Sequence, residues 1–149
     1  MDSSPTSKGC TCFRVRKLAR TVSRLYDQQL AATGLKTSQF SMLRAIAHKA
    51  QTIQHLAASL GMERTTLTRN LRPLTSAGWI TVVPGPDARQ RIVAIAPAGL
   101  AMIDQARNAW HTAQRQIEDT LGEETVLQLH AQVDDVMARL SPLLAEAWR

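Results

Sequence analysis

A mainly helical α+β fold is predicted for this chain, and three observations carry the prediction. Apolar residues recur at helical spacing through six separate stretches. Two short runs rich in β-branched residues, 80–83 and 91–95, flank a loop that holds Pro84, Gly85 and Pro86, the pattern of one hairpin. Gly34, Gly61, Gly78 and Gly122 each fall where a helical pattern stops.

In chain order, residues 1–9 are Ser/Pro-rich and polar and are expected to be disordered. A helix follows over about residues 10–31, because Val15, Leu18, Ala19, Val22, Leu25 and Tyr26 share one face. Its other side carries Arg14, Arg16, Lys17, Arg20 and Arg24. Thr37 is expected to cap a second helix to about Lys49, with Phe40, Leu43, Ile46 and Ala47 inward. The third helix, 53–60, has Ile53, Leu56, Ala57 and Leu60 on one stripe, Thr52 as N-cap and Gly61 as its stop.

The fourth repeats Leu67, Leu71 and Leu74 inward and carries Arg64, Thr65, Thr68, Arg69 and Arg72 on the opposite face. Two helices joined by a short Gly-containing turn, the second polar and basic, describe a helix-turn-helix. Pro73 removes one backbone donor, but the leucine spacing continues past it, which favours a kinked helix over a break. The hairpin, with Arg89 and Arg91 near its tip, is then a wing. Pro97 suits the first turn of a long helix to about Leu121, with Leu100, Ile103, Ala106, Trp110, Ala113 and Ile117 along it. A last helix, 123–147, has Val126, Leu129, Val133, Val136, Met137 and Leu140 inward, with a kink expected at Pro142. Trp110 and Trp148 are expected to fill core or interface.

These elements divide a single domain, 10–149, into a winged helix-turn-helix DNA-binding region, 37–95, and dimerisation helices, 10–33 and 97–149. The terminal helices carry more apolar surface than a small winged-helix core can cover, so burial against a second copy is expected.

The 149 residues can bury roughly 68–70% of their unfolded surface without help from disulfides or metals. The net charge of +6 is unevenly spread. Residues 1–99 hold 14 Lys/Arg against 4 Asp/Glu, whereas residues 100–149 hold 4 against 8. A basic half suits a polyanion, and the acidic half should face away from it. Neither a signal-peptide core nor a run of roughly 18 apolar residues occurs, so a soluble, cytoplasmic chain is expected. His48, His55, His111 and His130 lack ligand spacing, and neither a metal nor a cofactor is expected. No nucleophile–base–orienter set, glycine-rich phosphate loop or carboxylate cluster points to an enzyme.

The partner this arrangement suits is double-stranded DNA. In a helix-turn-helix the start of the second helix meets base edges in the major groove. Arg64, Thr65, Thr66, Thr68, Arg69 and Arg72 are the candidates here, with Asn70 open between a base edge and a backbone bond. Arginine can pair bidentately with guanine, and a threonine methyl can pack on thymine. Thr52, Asp87, Arg89 and Arg91 complete the DNA set. An arginine at a wing tip suits a narrow minor groove, and Asp87 stands where it could orient the Arg89 guanidinium.

The stretch LAASLGMERTTLTRNLRPLTSAGWI (56–80), followed by PDARQR (86–91) with its Asp-x-Arg signature, resembles the MarR family of winged-helix transcriptional regulators. The likeness extends over nearly the whole chain from Cys10. It implies a homodimer on a pseudo-palindromic operator, acting as a repressor that a small phenolic or other lipophilic effector releases. A candidate effector pocket, bordered by Arg16, Arg20 and Tyr26, would lie between the dimer helices and the winged helix. The family's peroxide-sensing branch offers an alternative, a thiol-based repressor using Cys12. Its reactive Cys opens the first helix, with a Tyr fourteen residues on, as Cys12 and Tyr26 stand here. Two further tyrosines of that branch are Arg16 and Thr37 in this chain, and the choice of reactive thiol between Cys10 and Cys12 stays open.

Overall fold

The computed structural model describes residues 9–147, with side chains through 145; residues 1–8, expected to be disordered, and Trp148 lie outside the described residues. The chain forms two compact units that meet in sequence at Trp110 and His111. The first holds helix α1 (Thr11–Leu30), a 3-10 turn (Ala31–Thr33), α2 (Thr37–His48), strand β1 (Gln51–Thr52), α3 (Ile53–Leu60), α4 (Arg64–Ser76), β2 (Ile80–Pro84), β3 (Arg91–Ile95) and the start of α5 (Pro97–Leu121). The second holds the remainder of α5 and helix α6 (Glu123–Ala147).

The core of the first unit is built by the residues whose periodicity announces it. Phe40, Leu43 and Ile46 of α2, Leu56 and Ala57 of α3, and Leu67, Leu71 and Leu74 of α4 are all buried together. Ile80, Val93, Ile103 and Ala106 join them from the wing and α5. Thr52 caps α3 as expected, its hydroxyl accepting the His55 N–H at 3.1 Å. Gly61 stops that helix at φ 63°, a left-handed conformation that favours glycine. α4 runs unbroken through Pro73 to Ser76, so the alternative of a separate terminal turn is not realised.

Several local expectations need correction. Thr37 is the first residue of α2 rather than its cap; Lys36 holds the cap position. The wing's first strand extends to Pro84, which pairs with Arg91. Proline is tolerated there because β2 is an edge strand. The hairpin also gains a partner: β1 pairs antiparallel with β3, with Gln51 opposite Val93 and Thr52 opposite Ile92, giving the strand order β1-β3-β2. Gly99 is buried at the start of α5, where an added Cβ would collide with the Trp79 carbonyl oxygen.

The terminal helices keep much of their apolar surface uncovered within one chain. Val15 and Leu18 of α1 are exposed, and so are Val133, Val136, Met137 and Leu140 of α6, which corrects the expectation that these four face inward within the chain. In the second unit Ala113 and Val126 are buried. No helix among the described residues is long and apolar enough to cross a membrane.

Candidate nucleic-acid interface

α4 can present a polar, basic face because its three leucines fix its rotation. With Leu67, Leu71 and Leu74 buried, Arg64, Thr65, Thr68, Arg69 and Arg72 turn outward and are exposed. These five line one open concavity of about 480 Å3. Arg64 and Arg72 lie about 12 Å apart along the axis. A helix about 10–12 Å wide with its side chains fits a DNA major groove about 12 Å across.

Thr68 is partly committed already, since its hydroxyl donates to the Arg64 carbonyl at 2.9 Å. Its outward offering is therefore the methyl group and an oxygen lone pair. Thr66 and Asn70 stand apart from this concavity, and Asn70 is half-buried.

A second concavity, about 300 Å3, lies between the start of α3 and the wing. Thr52, Ile53, Gln54, Arg64, Asp87, Arg89, Gln90 and Arg91 line it, so Arg64 belongs to both. The wing's tip is shaped from within. Gly85 N–H donates to the Gln90 carbonyl and Gln90 N–H to that of Asp87, both at 2.9 Å. The Asp87 carboxylate accepts the backbone N–H of Arg89 at 3.1 Å. It folds the loop and leaves the guanidinium unpaired, which corrects the expectation that it orients that group. The reason is geometric: an Asp carboxylate reaches the backbone N–H two residues on without having to fix a long, flexible side chain.

Among the described residues, Arg64, Arg69, Arg72, Arg89 and Arg91 form no ion pair; the two salt bridges, Arg107–Asp104 and Arg139–Asp135, lie on α5 and α6. Five uncompensated guanidinium groups around two concavities make a strong anion-binding surface. Sequence reasoning missed Gln54 and Gln90. Gln54 was legible as the second residue of a capped helix, where backbone N–H groups and the helix dipole already favour an anion. A third cleft of about 330 Å3 was not foreseen. It is mainly apolar, flanks α4, and is lined by Ile53, Thr68, Leu71, Arg72, Thr75, Ser76 and Val82.

The other candidates are dispersed. Arg16 and Arg20 are exposed on the first half of α1. Tyr26 is half-buried, its ring 6.2 Å from that of Trp110, which also stands 6.3 Å from Phe40. Arg44 lies 5.9 Å from both the Phe40 and Trp110 rings, within cation–π range. Cys10 and Cys12 are free and exposed at the start of α1. Among the described residues no group of three or more His, Cys, Asp or Glu could hold a metal ion.

A three-helix core carrying a basic second helix and a basic wing defines the winged helix-turn-helix class. The profile of the MarR family matches residues 33–91. The structure of the M. tuberculosis transcriptional regulator MosR in complex with DNA is 34% identical, with 95% of this chain and 99% of that one covered and a TM-score of 0.77. A mutant of E. coli MarR complexed with operator DNA is 24% identical, covering 83% and 90% of the two chains, with a TM-score of 0.75; that likeness shows the fold. YwoH of Bacillus subtilis, an uncharacterized HTH-type transcriptional regulator, is 29% identical over 85 residues, 55% of this chain and 61% of its own length. This chain belongs to the MarR family of winged-helix transcriptional regulators, a family of regulators and not of enzymes.

Proposed function

We propose that this protein is a sequence-specific DNA-binding repressor that acts in the cytoplasm as a homodimer on a pseudo-palindromic operator. One observation carries the reading: five arginines of α4 and the wing, all exposed, surround two adjoining concavities without an acidic partner among the described residues. The uncovered apolar residues of α1 and α6 support the dimer, since a second copy gives them a place to be buried. Two reading helices would then meet DNA about 34–36 Å apart, one helical turn.

A mobility-shift titration against the DNA upstream of the protein's own gene tests this. Affinity should fall steeply with salt and collapse when Arg69→Ala and Arg89→Ala are combined. Binding indifferent to salt, or unharmed by the double substitution, would sink the reading.

Release belongs to a small phenolic or other lipophilic effector. The apolar cleft over Ile53, Leu71 and Val82 gives such a ligand a seat directly on the reading helix, with Arg72 and Thr68 beside it. Arg16, Arg20 and Tyr26 remain the candidates on α1. A Val82→Trp variant would discriminate, because filling the cleft should abolish effector release if the ligand sits there and leave it intact if the α1 residues hold it.

A second reading, oxidant sensing through Cys12, is favoured by the exposure of both thiols at the head of α1. Cys12 and Tyr26 lie about 21 Å apart along one helix, so a contact between them could form only between copies. Operator release by mild peroxide from wild type but not from Cys12→Ser is the expected signature; equal release from both would exclude Cys12.

A further inference from the structure

The chain turns from α1 into α2 through a corner that its own sequence leaves half-capped. A helix N-terminus has four backbone N–H groups without intrahelical partners and usually recruits Ser, Thr, Asp or Asn to cap them. The cap residue of α2 is Lys36, whose side chain has no acceptor atom. Two other groups substitute. Gln39 Oε1 accepts the Lys36 N–H at 3.0 Å. Asp27 Oδ1, ten residues back on α1, accepts the Thr37 N–H at 2.7 Å. The second bond is charge-assisted, and its carboxylate sits where the α2 dipole favours negative charge.

Asp27 is the only acid on α1, a helix with five Lys/Arg residues, yet among the described residues its carboxylate forms no ion pair. It is committed to the neighbouring helix. The rest of the corner is fixed for separate reasons. Leu30 and Leu35 are buried in the core. Between them Thr33 Oγ1 donates to the Leu30 carbonyl at 2.6 Å and accepts the Leu35 N–H at 3.3 Å.

Beyond this corner α1 is a lever. Residues 11–21 are exposed throughout, and burial begins only at Val22. Asp27 and Thr11 are separated by about 24 Å of helix, so a change of about 5° at Asp27 moves the head of α1 by about 2 Å. The exposed Phe13, Val15 and Leu18 lie on that moving part.

We propose that Asp27 is a positioning residue: its bond to the Thr37 N–H holds α1 at a fixed angle to the winged-helix core and so sets the spacing at which two copies engage DNA. This rests on the dimeric operator-binding reading above.

The probe is the duplex that the wild-type protein recovers from a randomised library, remade with its half-sites one or two base pairs closer or farther apart. The wild type is expected to prefer one spacing. Asp27→Ala should flatten that preference by roughly tenfold, within what a hydrogen bond to a charged group can carry, and leave affinity for an isolated half-site unchanged. Asp27→Asn, which keeps an oxygen acceptor, should restore most of it. Thr37→Pro removes the donor instead of the acceptor. Proline is well tolerated at the first position of a helix, and the extended Lys36 suits a following proline, so this variant should fold and flatten the preference equally. It carries the test even where Asp27→Ala does not fold.

A wild-type spacing preference in Thr37→Pro, or in a folded Asp27→Ala, overturns the proposal, whatever happens to the melting temperature. A wild-type protein that selects no duplex, or shows no spacing preference, instead overturns the operator reading and takes this proposal with it.

Discussion

α4 and α6 are both amphipathic helices with apolar residues at helical spacing, and they end in opposite conditions. In α4 Leu67, Leu71 and Leu74 are at most 3% exposed, packed into a core made by α2, α3 and the wing. In α6 the corresponding stripe is open: Val133, Met137, Leu140 and Leu144 are 50% to 66% exposed. Periodicity therefore announces that a helix needs a partner and says nothing of which partner it finds. α4 finds its own within the chain and spends its free face on arginine and threonine. α6 has no polar chemistry of that kind to offer, and its uncovered stripe is what the proposed dimer would cover.

Charging the open stripe of α6 should have the largest effect. Met137→Asp combined with Leu140→Asp places four carboxylates in the proposed two-fold interface, and we expect a loss of about 5 kcal/mol or more in dimer stability. Sedimentation should show a folded monomer with unchanged helix content. A dimer that survives the double substitution would mean that the α6 stripe is covered by something else.

Next in size is the closed stripe. Leu74 is fully buried, and Leu74→Ala should cost about 2–5 kcal/mol in denaturant unfolding, a large share of the roughly 5–15 kcal/mol that holds a typical domain. Leu140→Ala, by the same chemistry, should leave unfolding of the isolated monomer almost unchanged. Equal losses at the two positions would erase the distinction between the helices.

That contrast also explains which parts of the structure were legible in the sequence. The helices, the glycine stops, the Thr52 cap and the winged helix-turn-helix could be read because each follows from a local pattern with a local cause. Strand β1 could not, since two residues carry no periodicity and Gln51 and Thr52 become a strand only because β3 lies alongside. Gly99 gave no signal for a similar reason: nothing near it in sequence indicates that the Trp79 carbonyl will stand against it. Thr37 and Asp87 were misassigned in role, each by choosing the obvious local partner. In the structure an acid on α1 reaches Thr37, and Asp87 takes a backbone N–H in place of a side chain. The basic face of the site was evident from the spacing of its arginines, while its division into two concavities joined at Arg64 required the fold.

Smaller effects test the free face of α4. Arg69→Ala should weaken binding by about 1–3 kcal/mol and relax discrimination at particular base pairs, if it reads a base edge. Arg72→Ala, at the far end of the same concavity, should act more evenly across sequences if it holds phosphate, with a reduced salt slope. Selection experiments with each variant separate the two roles; identical sequence preferences in both would assign both arginines to the backbone.

The smallest expected effect falls on Thr52, where fold and site share one side chain. Thr52 ends β1 opposite Ile92, caps α3 through the His55 N–H, and forms part of the wall of the wing concavity. Thr52→Ala should cost about 1 kcal/mol of stability through the lost cap. Thr52→Ser keeps the hydroxyl and should recover most of that. DNA affinity then distinguishes two ways in which the residue could serve the site. If Thr52 acts only by holding α3 against the sheet, affinity should follow stability through the Ala and Ser variants and recover at lower temperature, where the helix end no longer frays. If its hydroxyl also meets phosphate, Ala should lose affinity at every temperature while Ser retains it, because the contact is absent even when the helix is fully formed.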